Sequence, residues 1–586
     1  MFAALLRIVR WLGCCHILCA WIFFATTVVV VCQPADLIFV NGSVLTVDAN
    51  DRVVQALAVR GGRIIAVGSD AEINRLRYES TRVIDLGGRS LIPGLIDSHT
   101  HPASASLTEW DHPIPRMDSI PEVLDYVRER AAHVPEGDWI VLQQVFITRL
   151  LERRYPTRSE LDGVAPRHPV IFRTGPDASL NSEAMKRLQI NQGSVAPEGS
   201  KIERTPNSSE ASGIIRNWSR IFSIPKTGGQ PEESEKRLRL QRLFQDYNSV
   251  GLTTIADRNA SSASMKRYET LLEENQLTLR IAASRSVSNA GSSAQMIQQI
   301  DLIAAEATTH STDPMLRTIG IKMFLDGGML TGSAFMIKPW GISSIYNISD
   351  PNYRGLRFIP QDVLTKVISH CVGQGLQFTA HSVGDGAVEA LVAAYEQVGS
   401  QDPRLRLTRP NITHCNFLSD RSIVSMAELG ISADIQPAWL FKDARTLTEQ
   451  FGIERMKRFQ PLRKLFDSGV LVGGGSDHMQ KIGSLRSVNP YNPFLGMWVA
   501  LTRLPEKTTK PLHPDQSLTR LEALRFYTRN NAQLLFLEDY CGSLEVNKMA
   551  DLVVLDRDFL ECPIEAIREL RADQVYLSGR LVHQRK

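Results

Sequence analysis

From about residue 317 onward, a short apolar run is followed again and again by a helical stretch. "IGIKMF" (Ile319–Phe324) comes first, then "LQFTAH" (Leu376–His381), "NITH" (Asn411–His414), "ISADIQ" (Ile431–Gln436) and "VLVGGG" (Val470–Gly475). Helices are expected between them near Asp362–Val372, closed by Gly373 and Gly375, then at Gly386–Val398, Arg421–Leu429 and Met456–Ser468. A helix between strands carries the chain back to the same edge, so successive strands lie parallel with both faces covered. "LIPGLID" (Leu91–Asp97), "GLTTIAD" (Gly251–Asp257) and "LRIAAS" (Leu279–Ser284) supply three earlier strands. Eight such units close a barrel, so the expected fold class is α/β with a TIM-like (β/α)8 barrel.

The two chain ends read differently. "ADLIFVNGSVLTV" (Ala35–Val47) and "ALAVRGGRIIAVG" (Ala56–Gly68) are short alternating strands, with Gly61-Gly62 as a two-residue hairpin signal. "GSLEVNKMADLVVLD" (Gly542–Asp556) and "DQVYLSGRLVHQ" (Asp573–Gln584) repeat the style. Neither piece is large enough to fold alone, so residues 35–90 and 538–586 are expected to join in one small composite β-sandwich flanking a barrel of residues 91–537. Roughly 150 residues separate the first two barrel strands. This insertion, about 100–240, contains "DWIVLQQ" (Asp138–Gln144), "HPVIFRT" (His168–Thr174) and a polar loop, Ser194–Gly213. An insertion after a barrel strand sits at the catalytic mouth, so it is expected to cover the site.

Residues 1–34 belong elsewhere. Arg7 and Arg10 precede the uncharged stretch Trp11–Cys32, and Asp36 is the next charge. Such a run is long enough to span a bilayer as an N-terminal hydrophobic helix, as a transmembrane anchor or as a signal peptide cleaved near Gln33. The positive-inside rule then puts the body outside the cytosol, membrane-anchored or secreted. Six Asn-x-Ser/Thr triplets (Asn41, Asn207, Asn217, Asn259, Asn347, Asn411) would be candidate glycan acceptors in a eukaryotic host. With 66 Lys+Arg against 63 Asp+Glu, no basic excess exists to drive nucleic-acid binding. Four of the eight cysteines lie in the N-terminal run, which excludes a disulfide scaffold for the body.

Chemistry gathers at the strand ends. "LIPGLIDSHTHP" places His99 and His101 after the first strand, and residues i and i+2 of an extended segment face the same way. His381 follows "LQFTA", His414 ends "NITH", and Asp477 follows the last strand in "VGGGSDH". Each alone is more commonly a hydrogen-bonded core histidine or a helix cap; jointly, a barrel would gather them over one mouth. Imidazoles with a carboxylate suit a divalent metal, zinc first, with iron, manganese or nickel behind it.

These motifs resemble the amidohydrolase superfamily, and within it the branch called amidohydrolase family 3, or YtcJ-like. "PGLIDSHTH" (Pro93–His101) is similar to that family's opening metal motif, "IKMFLDGGM" (Ile321–Met329) to its lysine strand, and "AHSVGDGAV" (Ala380–Val388) to its third histidine motif. "ITHCNFLS" (Ile412–Ser419) resembles the fourth and "GSDH" (Gly475–His478) the terminal aspartate, and the likeness runs from about Asp36 to Asp558. The resemblance implies that His99, His101, Lys322, His381, His414 and Asp477 serve one or two metal ions. It implies a carboxylated Lys322, since a protonated lysine has no lone pair to give. It also implies hydrolysis of a non-peptide C–N bond in a small amide-like molecule, by water that the metal ionises. Asp477 would move the proton, and His414 would ligate a second ion or meet the developing oxyanion.

Two departures bear on the substrate. "TGPDASLNS" (Thr174–Ser182) puts Asp177 where relatives have a histidine, and His478 replaces a small residue; both are expected to alter substrate choice. A deaminase or an ester or lactone hydrolase would use the same site, because fold does not choose the bond. A surface-anchored binding protein is the reading outside enzymes; it would be expected to have lost one of the six groups, and none is missing. A homo-oligomer is left open.

Overall fold

The computed structural model describes residues 34–142, 144–224, 229–307 and 313–586. The N-terminal apolar segment therefore lies outside the described residues, and with it the expected helix. Among the described residues no helix is long and apolar enough to cross a membrane.

Eight parallel strands form one sheet: β1 (Leu95–Thr100), β2 (Leu252–Ala260), β3 (Arg280–Ser286), β4 (Leu316–Phe324), β5 (Gln377–Ser382), β6 (Asn411–His414), β7 (Ser432–Ile435) and β8 (Val472–Gly474). They neighbour one another in chain order, as a barrel wound by right-handed crossovers requires. The ring is nearly closed. A single bridge, Thr100 to His478, joins the ends, helped by the amide of His101 to the His478 carbonyl at 2.8 Å and that of Asp477 to the His99 carbonyl at 2.8 Å.

The expected strand "LIPGLID" divides in two. Ser90–Pro93 pairs with Leu552–Leu555 in the terminal β-domain, and only from Leu95 does the chain enter the barrel, so His99 lies within β1 rather than after it. Gly94 makes the passage: a Cβ there would sit 2.1 Å from the Thr253 hydroxyl. Both chain ends do build one β-domain. A four-stranded sheet (Arg63–Gly68, Ala56–Arg60, Leu37–Val40, Arg82–Asp85) shares a core with a six-stranded one that includes Leu552–Leu555 and Ala572–Leu577. Phe39, Leu57, Leu91, Leu552 and Tyr576 fill that core, while Gly61 and Gly62, both at positive φ, turn the hairpin.

Two local expectations are overturned. The polar loop Ser194–Gly213 contains a strand, Lys201–Arg204, and the start of another, Ala211–Arg216; with Asp177–Leu180, Val170–Thr174 and Ile140–Leu142 they form a five-stranded sheet. Their apolar positions (Ile202, Ala211, Ile215) are too few to read from alternation, and the partner strands supply the rest of the core. The helix expected near Met456–Ser468 is shorter, a turn at Met456–Arg458 and then a helix at Leu462–Asp467, and a longer one that was not expected, Pro437–Arg455 with a break at Gly452, precedes it. Proline at its first turn and the buried face of Trp439, Leu440, Ala444 and Leu447 start this longer helix. Of the six Asn-x-Ser/Thr sites, Asn217 and Asn411 are buried, while Asn41, Asn207 and Asn347 are exposed on left-handed turns. The four body cysteines are buried and unpaired with one another.

Candidate metal centre

β1 ends in Ser98-His99-Thr100 and His101 follows directly, with both imidazoles on the same side. Their Nε2 atoms lie 3.2 Å apart. Asp477, just past β8, brings Oδ1 to 3.4 Å from the Nε2 of His99 and 3.2 Å from that of His101. The closing bridge between β1 and the loop after β8 sets this distance, and Asp97 reinforces it by accepting the amides of His99 and Ser476 at 2.9 and 3.0 Å.

The protons decide what the cluster is for. His99 Nδ1 donates to Asp434 Oδ1 at 3.1 Å, so its Nε2 carries a lone pair. That lone pair faces a carboxylate oxygen, and only a shared proton or a cation relieves such an arrangement. Burial also holds His99 and His414 well below the ordinary imidazole range and pushes His381 down to about 3, with Lys322 next among the causes for His99 and His381. Neutral imidazoles are the form that ligates a metal.

Sequence reasoning passed over the groups behind these. Asp434 in β7 accepts His99 and Gln436 on Oδ1, and Asn411 (2.8 Å) and Thr413 (3.1 Å) on Oδ2, with Arg258 Nε 3.6 Å away. Gln436 gives its amide N–H to Asp434 at 2.9 Å, which turns its oxygen to His414 Nδ1 at 2.7 Å. One carboxylate and one amide thus fix the tautomers of both His99 and His414, leaving each Nε2 free for a metal. An acid in the middle of the buried strand "ISADIQ" was the available signal.

His414 stacks on His99 (centroids 4.9 Å) and on Trp439 (4.6 Å), and His381 meets His414 edge-on at 4.6 Å. Lys322, in β4, is buried, with its ammonium over the Phe324 ring; burial pulls it down to about 8. Asp477 is pushed up by burial. His414, Cys415 and Asp477 all have positive φ, strain that non-glycine residues carry where geometry is demanded of them. All six groups named from the sequence line one cavity of about 810 Å³, the size of a small-molecule site. His99, His101 and Asp477 are the tight cluster, with His381, His414 and Lys322 around it.

The insertion roofs this cavity. Trp110, Tyr126, Phe146, Arg173 and Trp218 come from it, facing Phe324, Phe358 and Trp439 from the barrel side. The two departures from the family pattern stay out of the cavity. Asp177 is buried against Arg216, and His478 shares the N–H of its Nε2 between the carbonyls of Gln480 and Lys481 (3.1 and 2.8 Å) while its Nδ1 accepts from the Tyr247 hydroxyl (2.6 Å). Both side chains are bonded within the protein and neither lines the cavity.

Lone pairs converging at the mouth of a parallel barrel define a class, the barrels built to hold a metal ion at that mouth. Within that class the chain belongs to the amidohydrolase family, whose model matches residues 82–583. It is similar to an N-substituted formamide deformylase from Arthrobacter pascens, 28% identical over 94% of this chain and 99% of that one. A solved metal-dependent hydrolase from Pyrococcus horikoshii superposes with a TM-score of 0.63 at 19% identity, over 90% of this chain and 99% of that one. The atrazine chlorohydrolase TrzN from Arthrobacter aurescens, complexed with zinc, superposes at 0.51 with 17% identity, over 94% and 95%.

Proposed function

We propose that this protein hydrolyses a C–N bond of a small amide-like molecule, with an N-substituted formamide as the first substrate class to test. The observation that carries the reading is the facing of His99 Nε2, His101 Nε2 and Asp477 Oδ1 at 3.2–3.4 Å, which a divalent cation, zinc first, would satisfy. The whole-length likeness to a formamide deformylase supports the bond class. His99, His101, His381, His414 and Asp477 are the donors to such an ion or pair of ions. Lys322, once its neutral amine has added CO2 and released a proton, contributes an anionic oxygen. Bound there, the cation supplies Lewis acidity toward the carbonyl and lowers the pKa of water toward about 7.

The chain's own groups do the rest. Asp477 takes the proton from the attacking water and returns it to the departing nitrogen, a task that a carboxylate raised by burial suits. His414 keeps its proton on Nδ1, bonded to Gln436, so it acts as a donor to a cation rather than as a hydrogen-bond donor to the oxyanion. The aromatic walls receive the nitrogen substituent and exclude water.

Chelation tests the reading. Zinc-loaded protein should release formate from aromatic N-substituted formamides, and stripping the metal should lower kcat/KM by at least about a hundredfold, reversed on readdition. Equal rates with and without chelator would end the proposal. Asp434→Asn, which leaves the donors in place but weakens the Nδ1–H bond of His99, is expected to lower zinc affinity about 10–100-fold. Competition against a chromophoric chelator reads this directly.

A further inference from the structure

A second cavity, about 440 Å³, lies against the first and shares Ile114, Gln144 and Phe146 as wall residues. Its charge is one-sided: seven lysines and arginines line it, against the two carboxylates Asp118 and Glu506. Four of the cations are matched locally. Arg149 forks onto Asp443 (3.0 and 2.7 Å), Lys442 donates to Glu506 (2.7 Å), Arg486 to Glu109 (2.7 and 2.8 Å) and Arg116 to Asp118 (2.7 Å). Among the described residues, Arg445, Lys481 and Lys507 have no carboxylate within ion-pair distance.

Lys481 is the most telling of these three. It is 8% exposed, its backbone sits at φ +67, and its ammonium donates to the neutral carbonyl of Pro115 at 3.2 Å. The one acid acting on it, Glu109, is already taken by Arg486, and burial outweighs that attraction and pulls this amine below the ordinary lysine range. Concave walls of one sign focus the field and raise the local concentration of counter-ions. Three unmatched cations around a volume of this size fit two negative charges better than one.

We infer that this basic cavity is a binding site for a small dianion, a molecule bearing a phosphate or sulfate group or two carboxylates, held beside the catalytic cavity rather than in it. Lys481 at its floor and Arg445 and Lys507 at its rim are the recognising charges. The site is independent of the reaction proposed above, and its test needs no substrate.

Sulfate is the probe, because it is doubly charged and a weak metal chelator. Calorimetric titration of the full-length protein at constant ionic strength, balanced with chloride, should show one saturable site with a Kd of about 1 mM or tighter. Arg445→Gln with Lys507→Gln, both at exposed positions, should weaken it more than about tenfold, and Lys481→Gln further. The control pair Lys266→Gln with Lys366→Gln removes the same charge from exposed helix positions that line neither cavity, and should leave binding unchanged. No saturable uptake by the wild type, or equal weakening by the control pair, overturns the site.

Discussion

Asp477→Asn is expected to fold normally, retain metal and lose about 10²–10⁴ in kcat. The exchange is nearly isosteric, and asparagine tolerates the left-handed backbone that Asp477 occupies at φ +56. Its main-chain anchors persist: the amide still reaches the His99 carbonyl at 2.8 Å, and the carbonyl still accepts from Asn489 at 2.9 Å. What disappears is a base that can take a proton and give it back. An amide oxygen remains near His99 and His101, so metal content should stay close to that of the wild type while turnover collapses. If the variant turns over at wild-type rates, a different group moves the proton, and His414 and Lys322 are the next to replace.

Arg216→Met should cost stability rather than chemistry, about 3–5 kcal/mol. Arg216 is fully buried and is the hub of the insertion's fastening to the barrel loops. It donates to Glu203 (3.1 Å), Asp177 (3.2 Å), the Tyr155 hydroxyl (2.7 Å), the Tyr346 carbonyl (2.6 Å) and the Thr331 carbonyl. Thr331 lines the catalytic cavity, so one side chain ties the roof to the floor. Methionine fills the space but leaves the buried Asp177 without a cation, while Glu203 keeps Lys201 at 2.8 Å. Adding Asp177→Asn should recover part of the loss, because it removes one uncompensated charge; denaturant midpoints of the single and double variants measure that coupling. A single variant as stable as the wild type would mean that the network carries no net energy.

The barrel strands were legible for a plain reason. A parallel strand buried on both faces must be apolar or small throughout, so "LQFTAH" and "IGIKMF" stand out against amphipathic helices without any knowledge of their neighbours. The six chemical groups were legible because strand ends are where a barrel displays them, and because the motifs around them resemble a known family. Asp434, Gln436 and Arg258 were not, since each is a single polar residue in a strand or just past its end and its meaning lies in a partner some 20 to 335 positions away. The sheet of the insertion was missed for a related reason: its strands are short, half-polar and stable only against one another.

Local periodicity and residue type determined most of the strand–helix order, the joining of the two chain ends and five of the groups at the mouth, His99, His101, His381, His414 and Asp477, while Lys322 came from the family resemblance. Tertiary structure alone decided which imidazole nitrogen holds a proton, that Asp177 and His478 are bonded within the protein, and that a second, basic cavity lies beside the first. The division has a physical cause. Hydrophobic burial repeats along the chain and can be read in a window of a few residues, whereas hydrogen-bond direction and net charge in a cavity depend on groups that only folding brings within 3 Å.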